Sequence, residues 1–99
     1  MGLMMVRAKV KAENAAEVEA AAKTMFSALE DAQPQGVRYT SCRLPDGETF
    51  VALLELKEGM ENPLPSIPGF VEFQEKLKGW LVEPPVPEQL TIVGSYRSF

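Results

Sequence analysis

The residues that could do chemistry in this chain are aromatic, hydroxyl and charged side chains, because its 99 residues include no histidine and one cysteine. Histidine is the usual general base near neutral pH and the commonest metal ligand. Without it, Ser41 has no imidazole partner to activate it as a nucleophile. Carboxylates and cysteines do not recur at metal-ligand spacing. We therefore expect neither a metal site nor a cofactor.

An aromatic stripe marks the segment GFVEFQEKLKGW, residues 69–80. Residues three and four apart share one side of a helix, and those that do so here are Phe70, Phe73, Leu77 and Trp80. The stripe could be the wall of a ligand pocket or the seam where a helix meets its core. Large aromatic residues most often fill cores, so both interpretations stay open from the residues alone.

The strands that must position these side chains are indicated by alternating polarity, which predicts them at residues 3–11, 37–44, 49–56 and 90–99. The second and third strands are joined by residues 45–48, in which Asp-Gly predicts a type I′ hairpin turn with positive φ at both central residues. The resulting register places Leu44 opposite Thr49 and Arg38 opposite Glu55. The opposite charges of the second pair support this register.

Two helices complete the order β-α-β-β-α-β. The first is expected to begin at Asn14, where Glu17 completes a capping box, and to end at Pro34. The second is expected to run from residue 66 or 68 to about residue 81, since proline is tolerated in a first helical turn. The prolines of residues 84–87 predict a stiff connection to the last strand.

This order predicts the α+β ferredoxin-like fold, in which a four-stranded antiparallel sheet of order 4-1-3-2 carries both helices on one face. We expect one such domain over residues 1–99. The side of the sheet towards the helices is predicted to carry Val6, Ala8, Val10, Val37, Tyr39, Ser41, Phe50, Ala52, Leu54 and Leu56. The opposite side is predicted to carry Leu3, Met5, Thr40, Cys42, Leu44, Val51 and Leu53. No element remains to cover this second apolar face, so we expect a homodimer that packs sheet against sheet.

A βαββαβ chain of this length, with IPGFVEFQEKLKGW at its second helix, resembles the dimeric α+β barrel superfamily. Within it the chain is most similar to the antibiotic-biosynthesis-monooxygenase-like group, and the likeness covers nearly the whole chain as topology. The resemblance implies a small hydrophobic ligand between the sheet and the helices. It also implies, for some members, oxidation of aromatic substrates by molecular oxygen without metal or flavin. The haem-degrading members hold iron through a histidine, which this chain lacks.

The resemblance implies catalytic roles for three polar residues, which are Tyr39, Trp80 and Arg43. Tyr39 would orient or deprotonate a substrate phenol, and Arg43 would lower the pKa of a bound phenol or carboxylate. Their alternatives are a tyrosine bonded to water, a tryptophan in the core and a solvated edge-strand arginine. The residues expected to line the ligand pocket are Phe73, Leu77, Ser41 and Tyr96. No asparagine is a convincing pocket residue, because Asn14 is expected to cap a helix and Asn62 to lie in a loop.

The first functional hypothesis is a homodimer that binds an aromatic or quinone-type compound as a cofactor-independent monooxygenase. The alternatives are a non-catalytic ligand-binding or structural dimer and, third, an isomerase or lyase. The net charge of −4 argues against nucleic acid and anionic membrane partners, and no apolar run approaches the roughly 20 residues of a membrane helix. Cys42 alone forms no internal disulfide, which favours a reducing cytoplasm.

Overall fold

The elements of the fold are four strands and two helices, seen in a computed structural model that describes residues 2–96. In chain order they are β1 (Gly2–Lys9), α1 (Ala15–Ala32), β2 (Val37–Arg43), β3 (Thr49–Leu56), α2 (Pro68–Trp80) and β4 (Val86–Leu90). The predicted order β-α-β-β-α-β is therefore confirmed.

The four strands form one antiparallel sheet of order β2-β3-β1-β4. The central strands are β1 and β3, as predicted, and β3 is apolar on both faces. The side chains predicted to face the helices do so: Ala8, Val10 and Leu54 are among the most buried residues of the chain. The α+β ferredoxin-like prediction is confirmed.

The β2–β3 hairpin has the predicted register but a different turn. Arg38 lies opposite Glu55, and the Leu44 N–H donates to the Thr49 carbonyl at 2.8 Å. Of the two central turn residues only Gly47 has a positive φ, of 76°, so the predicted type I′ turn is wrong. The Asp46 carboxylate holds the turn through hydrogen bonds. Its Oδ1 accepts hydrogen bonds from the N–H groups of Glu48 and Thr49, and its Oδ2 accepts one from the Thr49 hydroxyl at 2.6 Å.

Helix α1 buries an apolar stripe, in which Val18 and Met25 are each 1% exposed. Its start differs from the prediction, because a short 3₁₀ turn precedes it and Asn14 makes no side-chain cap. Asn14 Nδ2 instead donates to Glu17 Oε1 at 2.8 Å, so the capping box is wrong. The helix ends with Gln33 in the left-handed region, its N–H donating to the Leu29 carbonyl.

Strand β4 occupies residues that the sequence assigned to a connection. Val86–Leu90 pairs with β1, whereas the prediction placed the last strand at residues 90–99, of which 97–99 lie outside the described residues. The error has a physical cause: prolines usually exclude a strand, but an edge strand tolerates proline because one side of it has no hydrogen-bonded neighbour. Pro87 therefore lies in the ladder opposite Val6.

The two helices cross closely at a small-residue contact. A Cβ atom built at Gly69 would lie 2.5 Å from the Ala28 Cβ, so the absence of a side chain at Gly69 permits the crossing. Below this crossing lies the main hydrophobic core, which includes Met25, Leu54 and Phe73. This contact sets how closely the two helices approach each other.

Candidate functional site

A cavity of about 310 Å³ lies between the sheet and the helices, and we call it the sheet–helix cavity. Its sheet wall consists of side chains that face the helices from the three strands β1, β3 and β2, among them Val6, Ala52 and Tyr39. Its opposite wall comes from α2, through Phe73 and Leu77. Pockets of 300–1,000 Å³ with mainly apolar walls are typical of small-molecule sites.

The polar groups of the cavity are few and come from separate elements. They are Tyr39 and Ser41 on β2, Asn62 in the loop before α2, and Gln74 and Lys78 on α2. A small number of polar groups in an apolar wall orients a ligand, because each unpaired ligand polar group would otherwise be buried at a cost. The cavity therefore has the composition of a site for an apolar compound with one or two polar substituents.

Tyr39 is held between two aromatic rings. It stacks on Phe26, with ring centroids 5.4 Å apart and an interplanar angle of 26°, and meets Phe70 edge-on at 6.0 Å. Burial raises the pKa of the Tyr39 phenol above its ordinary value of 10.0, because the charged phenolate is poorly solvated there. Tyr39 is thus protonated near neutral pH and is suited to hydrogen bonding a ligand rather than to removing its proton.

Asn62 contributes an amide that the sequence analysis set aside. Its Oδ1 accepts the Leu64 N–H at 3.0 Å, which fixes the side chain in the loop. Within residues 2–96 its Nδ2 has no hydrogen-bond partner, so this N–H group remains able to donate to a ligand. A loop asparagine gives no periodic signal in a sequence, because its position depends on how the loop folds against α2.

Four predicted pocket or catalytic residues line the sheet–helix cavity, and three do not. Those that line it are Tyr39, Ser41, Phe73 and Leu77; those that do not are Trp80, Arg43 and Tyr96. Ser41 lies opposite Ala52 in the sheet and is half-buried. With no histidine in the chain, its hydroxyl is limited to hydrogen bonding.

Trp80 lies in a second part of the core. It packs against the buried residues Val10, Ala15 and Val18, and its carbonyl accepts the Lys11 N–H at 2.9 Å. This is the core alternative that the sequence left open.

Arg43 and Tyr96 lie outside the cavity. The Nε of Arg43 donates to the Gly47 carbonyl at 3.0 Å, its Nη1 lies 3.8 Å from Glu19 Oε2, and its guanidinium is 5.9 Å from the centre of the Phe50 ring. These contacts keep its charge at the hairpin end. Tyr96 follows β4 outside any strand and is 86% exposed.

A second cavity, of about 370 Å³ and more open, lies at the end of α1; we call it the α1–β2 cavity. It is lined by Phe26, Leu29, Gln33 and Val37 among others, and it shares Tyr39 and Leu64 with the sheet–helix cavity. These two side chains therefore form part of the wall between the cavities. No local pattern indicates this wall, because it depends on residues 25 positions apart in the chain.

The residues of α2 that sequence reasoning missed are the two polar ones, Gln74 and Lys78. Phe70, Gln74 and Lys78 are spaced by four, and all three line the cavity. The stripe selected from the sequence contained Phe70, Phe73 and Leu77 but neither polar residue. A search for polar residues four and eight positions after Phe70 would have found both Gln74 and Lys78.

Within residues 2–96 no group of three or more His, Cys, Asp or Glu side chains is placed to hold a metal ion. Over the same residues, no helix combines the length and the apolar character that crossing a membrane requires.

Comparisons with known proteins give matches among solved structures, whereas no family model and no curated protein matches. A protein from Nitrosomonas europaea named after the antibiotic biosynthesis monooxygenases has a TM-score of 0.76 at 15% identity, covering 95% of this chain and 100% of its own. SnoaB, a cofactor-independent oxygenase from Streptomyces nogalater solved as a mutant, has a TM-score of 0.72 at 18% identity, covering 98% and 97%. A conserved protein from Methanosarcina mazei Go1 has a TM-score of 0.70 at 20% identity, covering 91% of each chain.

These similarities show the fold of the chain. It has the fold of SnoaB and of a protein named after the antibiotic biosynthesis monooxygenases, so the resemblance stated from the sequence is confirmed for the fold. Identities of 15–20% in these three matches leave the activity to be argued from the site, because one fold hosts many functions.

Proposed function

We propose that this protein binds a small aromatic compound in the sheet–helix cavity and oxidises it with molecular oxygen, without a metal or organic cofactor. The observation that carries the proposal is the cavity itself, about 310 Å³ in volume, with Tyr39, Ser41 and Asn62 set in an apolar wall. Support also comes from SnoaB, which has the same fold and is described as a cofactor-independent oxygenase in an asparagine-to-alanine mutant form.

The chemistry that suits this cavity is oxidation of a phenol to a quinone. The substrate itself supplies the electrons: a ring C–H carbon gains one oxygen atom as a carbonyl. The other oxygen atom leaves as water with the two hydrogens of the former C–H and O–H groups. The protein holds the ring between apolar walls and donates hydrogen bonds to its oxygen. Such donors stabilise the developing phenolate, since they act in a site with little water.

Each polar residue has a role consistent with its surroundings. Asn62 Nδ2 donates to the substrate oxygen, because its Oδ1 is already bonded to the Leu64 N–H. Tyr39 remains protonated, since burial raises its pKa, and it orients the substrate rather than acting as its base. The phenol proton passes to solvent at the cavity mouth.

Oxygen uptake with anthrone as the probe tests this proposal. Anthrone enolises to a phenol and is converted to anthraquinone, whose absorbance is followed in parallel. We expect uptake well above the protein-free rate, reduced roughly 100- to 1,000-fold by Asn62→Ala, the scale of losing one stabilising donor. Thr24→Ala, on the exposed face of α1, is the matched control and should leave uptake unchanged. Oxygen uptake no faster than in protein-free buffer would refute the proposed oxygenase activity.

A second candidate function is ligand binding without turnover. The observation that favours it is that the described residues lining the cavity include neither a carboxylate nor an imidazole, so a base for proton removal is lacking there. This function predicts saturable binding of anthrone or anthraquinone with no oxygen uptake. Binding of either compound raises the melting temperature, and above Kd the stabilisation grows with the logarithm of the ligand concentration.

We further propose that the protein is a homodimer through the sheet face opposite the helices, the outer face. The middle strands present four half-buried apolar side chains there, which are Leu3, Met5, Val51 and Leu53. Beside them Glu55 is 7% exposed and lies 3.7 Å from Arg38. An apolar sheet face is favourable to cover, and a two-fold copy of the same face is self-complementary.

Sedimentation over a hundredfold concentration range tests the dimer. We expect the wild-type protein to sediment as a dimer and Leu53→Glu to shift it to the monomer, because the substitution buries a charge in the proposed interface. Val71→Glu places the same charge on the exposed face of α2 and should leave the dimer intact. A wild-type protein that sediments as a monomer at every concentration would contradict this proposal.

A further inference from the structure

The electrostatic character of the sheet–helix cavity comes from one residue. Lys78 is the single charged side chain among the described residues that line it. Of those lining residues, Lys78 and Pro85 are exposed, whereas the others are buried or half-buried. These two therefore mark the cavity mouth. The cavity thus combines an apolar interior with one positive charge at its opening.

The geometry of lysine suits this position. Its four-carbon stem can lie along apolar surface while the ammonium group stays in water. Lys78 thereby contributes both to the apolar wall and to the charge at the mouth. Gln74, one helical turn earlier, adds a neutral polar group on the same side of α2.

Two structural roles compete for the Lys78 charge. Its Nζ lies 3.2 Å from Glu75 Oε1, but both side chains are mostly exposed, 71% and 66% respectively, and exposed ion pairs are weak. Lysine near a helix C-terminus also complements the helix dipole; here Lys11 Nζ already reaches the Gly79 carbonyl at 3.4 Å. Neither role requires Lys78 to line a cavity, and neither holds its ammonium group firmly.

We infer that the ligand of this cavity is an aromatic anion, with its ring in the apolar interior and a carboxylate, sulfonate or phenolate group at the mouth against Lys78 Nζ. The inference rests on the proposed function only in taking this cavity as the ligand site. It adds the charge of the ligand and the residue that selects it. A neutral aromatic of the same shape lacks the contact with Lys78, and this difference alone makes it bind more weakly than the anion.

A matched pair of fluorescent probes separates the charge from the ring system. The anion is 1-anilinonaphthalene-8-sulfonate and the neutral comparator is N-phenyl-1-naphthylamine, which differs by the missing sulfonate. Both are titrated against the wild-type protein and against Lys78→Gln. We expect Lys78→Gln to weaken the anion roughly fivefold, which corresponds to about 1 kcal/mol, the upper end for exposed ion pairs. Binding of the neutral probe should not change.

Two further variants distinguish ligand recognition from a structural role. Glu75→Gln removes the competing carboxylate and should tighten binding of the anion, the opposite direction to Lys78→Gln. Lys76→Gln is the matched control on the same helix, since Lys76 pairs with Glu72 at 3.4 Å and does not line the cavity. It should leave both probes unchanged. Near-UV circular dichroism shows that each variant keeps its tertiary packing.

The possible results separate this inference from the proposed function. If Ala52→Phe, which fills the cavity, abolishes binding of both probes while Lys78→Gln leaves their affinity ratio unchanged, the cavity is a ligand site and the anion inference is wrong. If Ala52→Phe leaves binding of both probes unchanged, or neither probe binds, the cavity assignment fails and both proposals fall together. A selective loss of the anion in Lys78→Gln supports the inference.

Discussion

The close crossing of α1 and α2 predicts a large effect from one added methyl group. Gly69→Ala would place a Cβ atom 2.5 Å from the Ala28 Cβ, whereas ordinary contact begins at 3.4 Å. The two carbons must therefore separate by about 0.9 Å. Neither is the end of a flexible side chain, so relief requires movement of a helix backbone.

The expected loss of stability follows from two opposing terms. Overpacking a tight contact costs about 1–3 kcal/mol. Alanine gains up to about 1 kcal/mol over glycine in a helix interior, and less here because Gly69 is the second residue of α2. The free energy of unfolding should fall by about 1–2 kcal/mol, which lowers Tm by roughly 5–15 °C in a domain of this size.

Thermal and urea unfolding followed by circular dichroism at equal protein concentrations measures this effect. Gly79→Ala is the matched control, because it is in the same helix and has no atom within 4 Å of its added Cβ; it should be neutral or stabilising. Ala28→Gly removes the opposing methyl group, so the two substitutions should couple favourably in a double-mutant cycle. If Gly69→Ala is as stable as Gly79→Ala, the close packing described above is wrong.

Three other predictions concern ionisation and cavity shape. The pKa of Asp46 is lowered, first by the Thr49 hydroxyl and then by two backbone N–H groups. The contribution of Asp46 to stability is therefore present above its ordinary pKa of 3.8 and is lost as pH falls through the lower pKa of the folded state. Asp46→Ala should flatten that acid part of the urea-midpoint profile, and an unchanged profile would refute this account of the turn. Because the pKa of Tyr39 is raised in the folded protein, the tyrosine of the unfolded chain ionises first as pH rises above 10.0, and stability falls there. Tyr39→Phe should remove this alkaline loss of stability. An equal loss in the variant would show that another group causes it. Tyr39→Ala should open the wall between the sheet–helix and α1–β2 cavities and tighten binding of anilinonaphthalenes carrying an added phenyl ring, measured by fluorescence titration; no change in this size preference would show that Tyr39 does not form the wall.

Much of the fold was predictable because its signals are local. Alternating polarity with the Asp-Gly turn was enough to place Arg38 opposite Glu55, even though the turn type itself was wrong. Side-chain direction in a strand alternates strictly, so one correct pairing sets the whole hairpin. Strand β4 was misplaced because Pro87 contradicts a strand locally, whereas only the position of β4 at the sheet edge makes it acceptable.

The candidate site was predictable only in part. Tyr39, Ser41, Phe73 and Leu77 line the cavity because each lies on a face whose direction follows from period two or from helical spacing. Asn62 was set aside, since the position of a loop side chain depends on long-range packing. Trp80 shares the helical stripe with Phe73, yet it lies against Val10 and Val18 instead.

The amino-acid sequence by itself determined the order of the elements, the pairing of β2 with β3 and the side of the sheet that each strand residue faces, because these depend on near neighbours and on strict periodicity. Only the tertiary structure decided how the helices pack against each other and over the sheet. That packing depends on contacts between remote residues, such as Gly69 with Ala28. The space that remains brings Tyr39, Asn62 and Lys78 around one cavity, and no spacing along the chain encodes that meeting.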